Sequence, residues 1–163
     1  MVLFLKNLLF TVLVPGTFAA YLPLRIVQER SAPAGPLFVL GCLAIAVGTS
    51  IYAWCVWDFA TFGRGTPAPI DAPKKLVVRG LYRYTRNPMY CGVLTVIFGW
   101  ALVFRAPEIA AYGLIVWACF HSFVVLYEEP HLRSEFGPEY EAYSTRVRRW
   151  LPGFRDRTAP RAS

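Results

Sequence analysis

The sequence is poor in charged residues. Only 17% of its 163 residues are charged, whereas 56% are hydrophobic and 16% are aromatic. A soluble domain usually carries about 25% charged residues. The composition therefore excludes an ordinary soluble domain and predicts a membrane protein.

Cysteine is scarce, and its spacing indicates no redox or metal chemistry. The four cysteines include no Cys-x-x-Cys pair and lie in or beside apolar runs, at Cys42, Cys55, Cys91 and Cys119. Such cysteines usually serve as small apolar packing residues. We therefore expect neither a metal site nor a disulfide, and a membrane thiol or quinone redox enzyme is disfavoured.

The basic residues lack the pattern of a nucleic-acid-binding protein. The net charge is +7, but Lys and Arg flank apolar runs and form no single patch interleaved with exposed aromatic residues. Anionic lipid headgroups are the expected counterpart of this charge.

Four apolar runs are candidates for crossing roughly 30 Å of hydrocarbon. They are residues 2–21, 37–57, 89–104 and 109–127. The third run spans only about 24 Å at 1.5 Å per residue, which leaves open whether it crosses fully. A cleaved signal peptide is the alternative for the first run, but Pro15 interrupts its apolar core. We expect an all-α polytopic protein with about four transmembrane helices and short interfacial helices, in one domain over residues 1–154 with a disordered tail at 155–163.

The distribution of Lys and Arg predicts the orientation, because basic residues near the ends of spans stay on the cytoplasmic side. Three of the 17 basic residues, Arg25, Arg30 and Arg105, fall on one side, and the other 14 fall on the opposite side. Both termini and the loop at 58–88 are therefore predicted to be cytosolic, at a cell inner membrane or its equivalent.

The polar segment before the third run reads LVVRGLYRYTRNPMY over residues 76–90. Pro88 suits the first position of a helix, and it pushes Asn87 out of the helical region. We expect Asn87 to cap the third helix and to leave N–H groups of its first turn facing the cytosol, where a carboxylate or phosphate would bind. A plain helix start within a belt of interfacial aromatic residues is the alternative.

The polar segment after the fourth run begins with Glu128, Glu129 and Pro130. Proline predicts that the helix stops or kinks there, which places two carboxylates at the negative end of a helix dipole. That placement is unfavourable without a nearby cation and is typical of a functional site. The cation is Arg86, Arg133 or a group of a ligand.

Beyond Pro130 we expect a short helix to Phe136, a stop at Gly137 and a second helix opened by Pro138. One face of that second helix carries Tyr140, Tyr143, Val147 and Trp150, and it is predicted to lie on the membrane surface.

His121 lies seven residues before Glu128 and near the same face of the predicted helix. Two interpretations stay open: a proton relay to Glu128, and a neutral histidine hydrogen-bonded to another helix.

Together the two polar segments resemble a family of integral-membrane methyltransferases, which includes isoprenylcysteine carboxyl methyltransferase and, more distantly, the phospholipid N-methyltransferases. The resemblance covers roughly residues 63–152. Two patterns carry it: G-x-Y-x-x-x-R-N-P-x-Y-x-G from Gly80 to Gly92, and E-E-x-x-L-x-x-x-F-G-x-x-Y-x-x-Y-x-x-x-V-x-R-x-x-P from Glu128 to Pro152.

The resemblance implies an S-adenosylmethionine-dependent methyltransferase of EC 2.1.1 type that acts on a lipophilic acceptor. It places the donor in a cytosolic pocket formed by the ends of the last two spans and the C-terminal segment. The implied donor-binding positions are Leu76, Val77, Tyr82, Asn87, Pro88, Met89, Tyr90 and Glu128. No catalytic residue is assigned, and Arg86 and Glu129 are only candidates. No Gly-rich turn follows a predicted strand, so a soluble-type nucleotide fold is not expected.

Two positions depart from the isoprenylcysteine enzymes. Asn87 stands where those enzymes usually have histidine, and Val124 stands where they have an arginine that holds the carboxylate of the substrate. A phospholipid-amine N-methyltransferase is therefore one alternative. A non-enzymatic membrane module that binds partner proteins or anionic lipids is another. The sequence predicts neither the acceptor nor the oligomeric state.

Overall fold

A computed structural model describes residues 11–63 and 76–151 of the chain. The predicted disordered tail at 155–163 and residues 2–10 of the first predicted span lie outside these ranges. Within them, the all-α fold class predicted from the sequence is confirmed.

The helices follow the predicted order. Helix α1 joins a π-helical stretch, Val12–Tyr21, to an α-helical turn, Leu22–Ile26. Helix α2 spans Pro36–Asp58 and continues into a π-helical turn, Phe59–Gly63. A 3-10 turn at Gly80–Arg83 precedes α3, Pro88–Phe104, and α4 follows at Pro107–Phe123. A π-helical stretch, Val124–Glu128, joins α4 to α5, Glu129–Arg146.

Two continuous helices are long and apolar enough to cross a bilayer, Pro36–Phe62 and Pro107–Arg146. Helix α3 is apolar but has 17 residues, about 25 Å at 1.5 Å per residue. Large apolar side chains are exposed on α2 and α4, including Leu43, Val47 and Ile115. Contact with lipid hydrocarbon accounts for this exposure, and the chain is an integral membrane protein.

Helices α2 and α3 approach each other at glycines. A Cβ atom on Gly48 would lie 2.6 Å from the carbonyl oxygen of Gly92, and one on Gly41 would lie 2.7 Å from that of Gly99. Such spacing leaves no room for a side chain, and small residues allow this close packing between helices in lipid. The resulting contact fixes α3, which carries Tyr90, against α2.

Helix α1 is tied to α3 and α4 through two backbone carbonyls. Pro23 has no N–H to donate to the preceding turn. The carbonyl of Ala19 instead accepts a hydrogen bond from Trp100 Nε1 at 3.0 Å, and that of Phe18 accepts one from the Tyr112 hydroxyl at 2.8 Å.

The connection between α3 and α4 is a tight corner at residues 105–108. Arg105 takes a left-handed conformation (φ 48°), and the N–H of Ala106 donates to the carbonyl of Ala101 at 2.9 Å. Helix α4 begins at Pro107. Arg30 and Glu108 form a two-bond ion pair beside this corner, with N–O distances of 2.6 and 3.2 Å.

The fourth helix does not stop at Glu128 and Glu129, so that part of the prediction is wrong. Both residues have helical dihedral angles, and the N–H of Glu129 bonds to the carbonyl of Val124, five residues earlier. This wider π-helical turn accommodates Pro130, whose ring would clash with a carbonyl in a regular α-helix. The two carboxylates therefore do not stand at a helix C-terminus. The predicted break at Gly137 is confirmed, since φ there is 46°.

Candidate functional site

The two polar segments meet at one end of the helices, which we call the site face. The C-terminal segment, residues 147–151, lies against residues 85–91. The carbonyl of Arg148 accepts from the backbone N–H of Arg86 at 2.9 Å. The Thr85 hydroxyl donates to the carbonyls of Arg149 and Trp150, at 3.1 and 3.0 Å. The backbone carbonyls of the C-terminal segment thus hold it against the residues that precede α3.

Asn87 occupies the predicted N-cap position of α3 but makes no side-chain capping bond (φ −128°, ψ 49°). Its side-chain amide Nδ2 donates instead to the carbonyl of Arg149 at 2.9 Å. Asn87 is buried, at 5% exposure. Its side chain therefore joins the start of α3 to the C-terminal segment.

Glu129 is the centre of an ion-pair cluster. Arg149 contacts both carboxylate oxygens, at 2.6 and 3.0 Å, and Arg86 Nη1 lies 3.1 Å from Oε1. Arg133 Nη2 lies 3.8 Å from Oε2. Burial opposes ionisation of Glu129, but the hydrogen bond from Arg149 and the charges of the arginines together lower its pKa below the usual value. Glu129 is therefore a paired anion on the site face.

Glu128 has a different environment. Its Oε2 accepts a hydrogen bond from the Tyr90 hydroxyl at 3.0 Å. Within the described part of the chain, no Lys or Arg forms an ion pair with it. Glu128 thus offers a partly buried carboxylate whose described partner is a neutral hydroxyl.

Aromatic rings lie beside the ring of Tyr90. The ring of Tyr90 lies 4.6 Å from that of Phe120 and 6.5 Å from that of Trp150, measured between centroids. Trp150 Nε1 donates to His121 Nδ1 at 3.1 Å, and the two rings stack. The structure therefore gives His121 a hydrogen-bond partner in the C-terminal segment, and no described contact joins it to Glu128.

Four implied donor-binding residues lie in two packed clusters of the core. Val77, Tyr82 and Met89 are buried together with Cys55 of α2, and Leu76 packs on Tyr140, Tyr143 and Val147. Pro88, another implied position, is buried at the start of α3.

The part of α5 after Gly137 corresponds to the second predicted short helix. Its apolar face was predicted to lie on the membrane surface but packs against the rest of the protein instead. Tyr140, Tyr143 and Val147 are 2–5% exposed and pack within the protein. The Tyr143 hydroxyl donates to the carbonyl of Tyr82 at 2.7 Å. This hydrogen bond joins α5 to the Gly80–Arg83 turn.

A small cavity of about 20 Å³ lies between the two glutamates, Asn87 and Val124. Its volume holds about one water molecule. Arg86 also lines it, and the buried Nε of Arg86 has no hydrogen-bond partner. Arg86 Nε without a hydrogen-bond acceptor and Glu128 without an ion-pair partner suit a polar ligand that carries an anionic and a cationic group.

Sequence reasoning did not single out Arg149 and Trp150 as site residues. Arg149 pairs with Glu129 across 20 positions, and Trp150 reaches His121 across 29. The sequence signal for Arg149 was the V-x-R-x-x-P part of the second pattern, in which it is the arginine. Neither contact follows from local periodicity.

Comparisons with known proteins agree with the sequence resemblance. An uncharacterized protein of Haemophilus influenzae is 36% identical over 64 residues, which cover 39% of this chain and 100% of that protein. A probable protein-S-isoprenylcysteine O-methyltransferase of Oryza sativa subsp. indica is 39% identical over 79 residues, 48% of this chain. Protein-S-isoprenylcysteine O-methyltransferase B of Arabidopsis thaliana is 35% identical over 79 residues. The chain spans only 41% and 40% of the length of these two plant proteins. No solved structure matches significantly.

The family comparison covers most of the fold that carries the site. Residues 37–139, which are more than half of the chain, match the phospholipid methyltransferase family. This range includes Tyr90, Glu128 and Glu129 with the helices that place them. The resemblance read from the sequence is thereby confirmed, and the chain belongs to the phospholipid methyltransferase family.

Proposed function

We propose that this protein is an integral-membrane methyltransferase that uses S-adenosylmethionine and acts on a lipophilic acceptor. The observation that carries the proposal is Glu128, a partly buried carboxylate that faces a cavity and has only the Tyr90 hydroxyl as its described partner. A buried carboxylate without a cation is unfavourable, and a cationic ligand removes that cost.

The charges at the cavity fit this donor. Glu128 supplies a negative charge for a sulfonium or an ammonium group, and Arg86 Nε supplies an unpaired donor for a carboxylate. The aromatic rings of Tyr90, Phe120 and Trp150 provide surface for an adenine. We assign donor binding to Glu128, Tyr90 and Asn87, with Leu76, Val77, Tyr82, Pro88 and Met89 as the packed wall behind them.

Donor binding requires the cavity to widen. Pockets for ligands of this size measure about 300 Å³ or more, whereas the cavity beside Glu128 is about 20 Å³. The C-terminal segment accepts hydrogen bonds from Thr85, Arg86 and Asn87, and the last two of these residues line the cavity. We propose that this segment shifts to admit the donor and then excludes water from it.

The chain supplies positioning and electrostatics. When bound, the donor supplies an electrophilic methyl group on a sulfonium. Tyr90 orients Glu128 through its hydrogen bond, and Glu128 would hold the cationic part of the donor. The wall of aromatic rings keeps water out of the transfer path.

Neither catalytic candidate is suited to accept a proton. Arg86 carries a guanidinium that stays protonated in proteins. The arginines around Glu129 lower its pKa, so this carboxylate is a weak base. We assign Arg86 and Glu129 to positioning, because their ion pair anchors α5 to the start of α3.

Val124 favours an acceptor without a carboxylate at this position. Its side chain is 1% exposed, lines the cavity and lies one turn before Glu128. An anionic acceptor group would meet an apolar wall there. This supports the second candidate function, a phospholipid-amine N-methyltransferase.

We further propose that the site face is cytosolic, because most basic residues fall on that side of the predicted topology.

The test is transfer of label in native lipid. Purified protein is incubated with membrane lipids and S-adenosylmethionine carrying an isotope-labelled methyl group, and lipid species that gain the label are identified by mass spectrometry. We expect one lipophilic product, which is absent with Glu128→Gln. Saturable donor binding with no labelled product would refute the enzyme, and absence of donor binding would favour a non-enzymatic membrane module.

A further inference from the structure

A second and larger cavity lies on the site face, outside the residues assigned to donor binding. It measures about 690 Å³ and opens between the Gly80–Arg83 turn and α5. Arg83, Tyr84, Arg146 and Val147 contribute to its lining. Tyr143 lines both this groove and the small cavity beside Glu128. We call the larger cavity the arginine groove.

The arginine groove carries an excess of positive charge. Arg83 comes from the 3-10 turn and Arg146 from the last turn of α5, so two separate elements bring the guanidinium groups to one concavity. Neither arginine pairs with a carboxylate anywhere in residues 11–63 or 76–151. Arg146 donates through Nε to the carbonyl of Ala142 at 2.9 Å, which leaves its two terminal nitrogens available. Glu139 is the one acidic residue in the lining.

The rest of the lining is apolar and aromatic. Val147 is buried at 5% exposure, Val78 is 39% exposed, and the ring of Tyr84 is 51% exposed. Guanidinium groups bind phosphate through paired N–H donors, and tyrosine rings suit the boundary between hydrocarbon and water. A matching ligand therefore has a phosphate beside an apolar portion.

The position of the groove indicates where such a ligand comes from. The Gly80–Arg83 turn follows Arg79, which pairs with Asp58 at the end of α2 at 3.2 Å. The turn also stands a few residues before Pro88, the first residue of α3. Both helices are apolar, so the groove lies at the depth of the lipid headgroups.

We propose that the arginine groove binds the phosphate-bearing headgroup of an anionic phospholipid from the surrounding leaflet. The two arginines hold the phosphate, and Val78 and Val147 contact the start of the acyl portion. This site is separate from methyl transfer and holds whether or not the proposed function is correct.

The test is lipid retention by the intact protein. Detergent-solubilised protein is titrated with phosphatidylglycerol or with phosphatidylcholine, and bound lipid is measured by native mass spectrometry. We expect tighter binding of phosphatidylglycerol. Each of Arg83→Gln and Arg146→Gln should weaken it about fivefold, since a basic residue near a lipid surface contributes on this scale.

Arg148→Gln is the matched control. Arg148 is exposed on the same face, outside the groove, and the substitution removes the same charge. We expect little change in that variant. Equal weakening by Arg148→Gln would overturn the proposal, because it would indicate surface charge without a site. Unchanged binding by the Arg83→Gln, Arg146→Gln double variant would also overturn it.

Two further measurements keep the outcome interpretable. Circular dichroism checks that each variant is folded, and Arg83→Lys with Arg146→Lys tests the need for paired N–H donors, with partial retention expected. Inorganic phosphate at millimolar concentration is added as a competitor. Full displacement of lipid by phosphate alone would overturn the assignment to a lipid and indicate a soluble anion.

Discussion

Glu128 and Glu129 are adjacent in the chain, yet their carboxylates lie in different electrostatic environments. Glu128 accepts one hydrogen bond from the Tyr90 hydroxyl, whereas Glu129 contacts the guanidinium groups of Arg86 and Arg149. Successive positions on a helix point about 100° apart, so one residue can face the cavity while its neighbour anchors the fold. In the function proposed above, Glu128 therefore binds the donor and Glu129 stabilises the fold.

Amide substitutions at the two glutamates test this separation. Glu128→Gln should weaken S-adenosylmethionine binding about tenfold, because it removes the charge that faces the cationic donor. Its thermal stability should change little. Glu129→Gln should lower the free energy of unfolding by about 2 kcal/mol, since it removes the charge that faces the nearly buried guanidinium of Arg86 and that of Arg149. Calorimetric donor titration and thermal unfolding of both variants check this, and equal effects of the two substitutions on donor affinity would contradict it.

The low pKa of Glu129 gives stability a defined dependence on pH. A carboxylate with a lowered pKa in the folded state contributes stability above its unfolded pKa. That contribution is present in full above about pH 4.5, the ordinary value. It is lost progressively as the pH falls below that value and through the lowered pKa. Unfolding of the wild type should therefore become easier over this acidic range, and Glu129→Gln, which does not titrate, should lose less stability there. Parallel pH profiles would refute the assignment.

The hydroxyl of Tyr90 should contribute to donor affinity through Glu128. Tyr90→Phe keeps the ring that packs on Phe120 and removes only the hydrogen bond at 3.0 Å. We expect donor affinity to fall about threefold to tenfold, in line with a net value near 1 kcal/mol for one hydrogen bond. Tyr127→Phe is the control, because Tyr127 is exposed and its ring stacks on His131, away from the cavity. A loss of affinity of the same size in the control would argue against the role of Tyr90.

Local signals in the sequence predicted much of the helical framework. As predicted, Pro88 begins α3 and Gly137 interrupts α5, and the helices that begin at Pro36 and Pro107 contain the apolar runs predicted at 37–57 and 109–127. These positions follow from the fixed φ of proline and the freedom of glycine at positive φ. Such effects act within a few residues, so they are visible without the fold.

Other features depend on contacts between distant residues and could not be read in this way. The fit of Pro130 inside a continuous helix depends on a π-helical turn, which no residue pattern specified. The side-chain amide of Asn87 bonds to the carbonyl of Arg149, 62 positions later. The sequence showed that Glu128 and Glu129 needed cations but could not decide which glutamate has them. The π-helical turn at Val124–Glu128 determines that Glu129, and not Glu128, faces the arginines.

Close packing of α2 on α3 should make Gly48 intolerant of a side chain. An added Cβ would lie 2.6 Å from the carbonyl oxygen of Gly92 and 2.9 Å from Val96. Gly48→Ala should therefore lower the free energy of unfolding by about 1–3 kcal/mol, the usual cost of overpacking. Ser50→Ala is the control, because Ser50 is exposed on the same helix and bonds only to the preceding turn. Thermal unfolding in detergent checks both, and an unchanged Gly48→Ala would show that the helices can separate at no cost.

Val124 should decide which acceptors the site takes. Val124→Arg places a guanidinium at a buried position beside Glu128, one turn away on the same helix. If the acceptor is an amine or another group without a carboxylate, this charge repels the cationic donor and pairs with Glu128, so labelled product should fall at least tenfold. Val124→Met, which adds length without charge, should lose much less. Each variant is assayed for labelled product with native lipid and with a prenylcysteine, after circular dichroism confirms folding. A rise in prenylcysteine methylation in Val124→Arg with no loss on native lipid would contradict this acceptor assignment. The added arginine would then bind the carboxylate of the acceptor without repelling the donor.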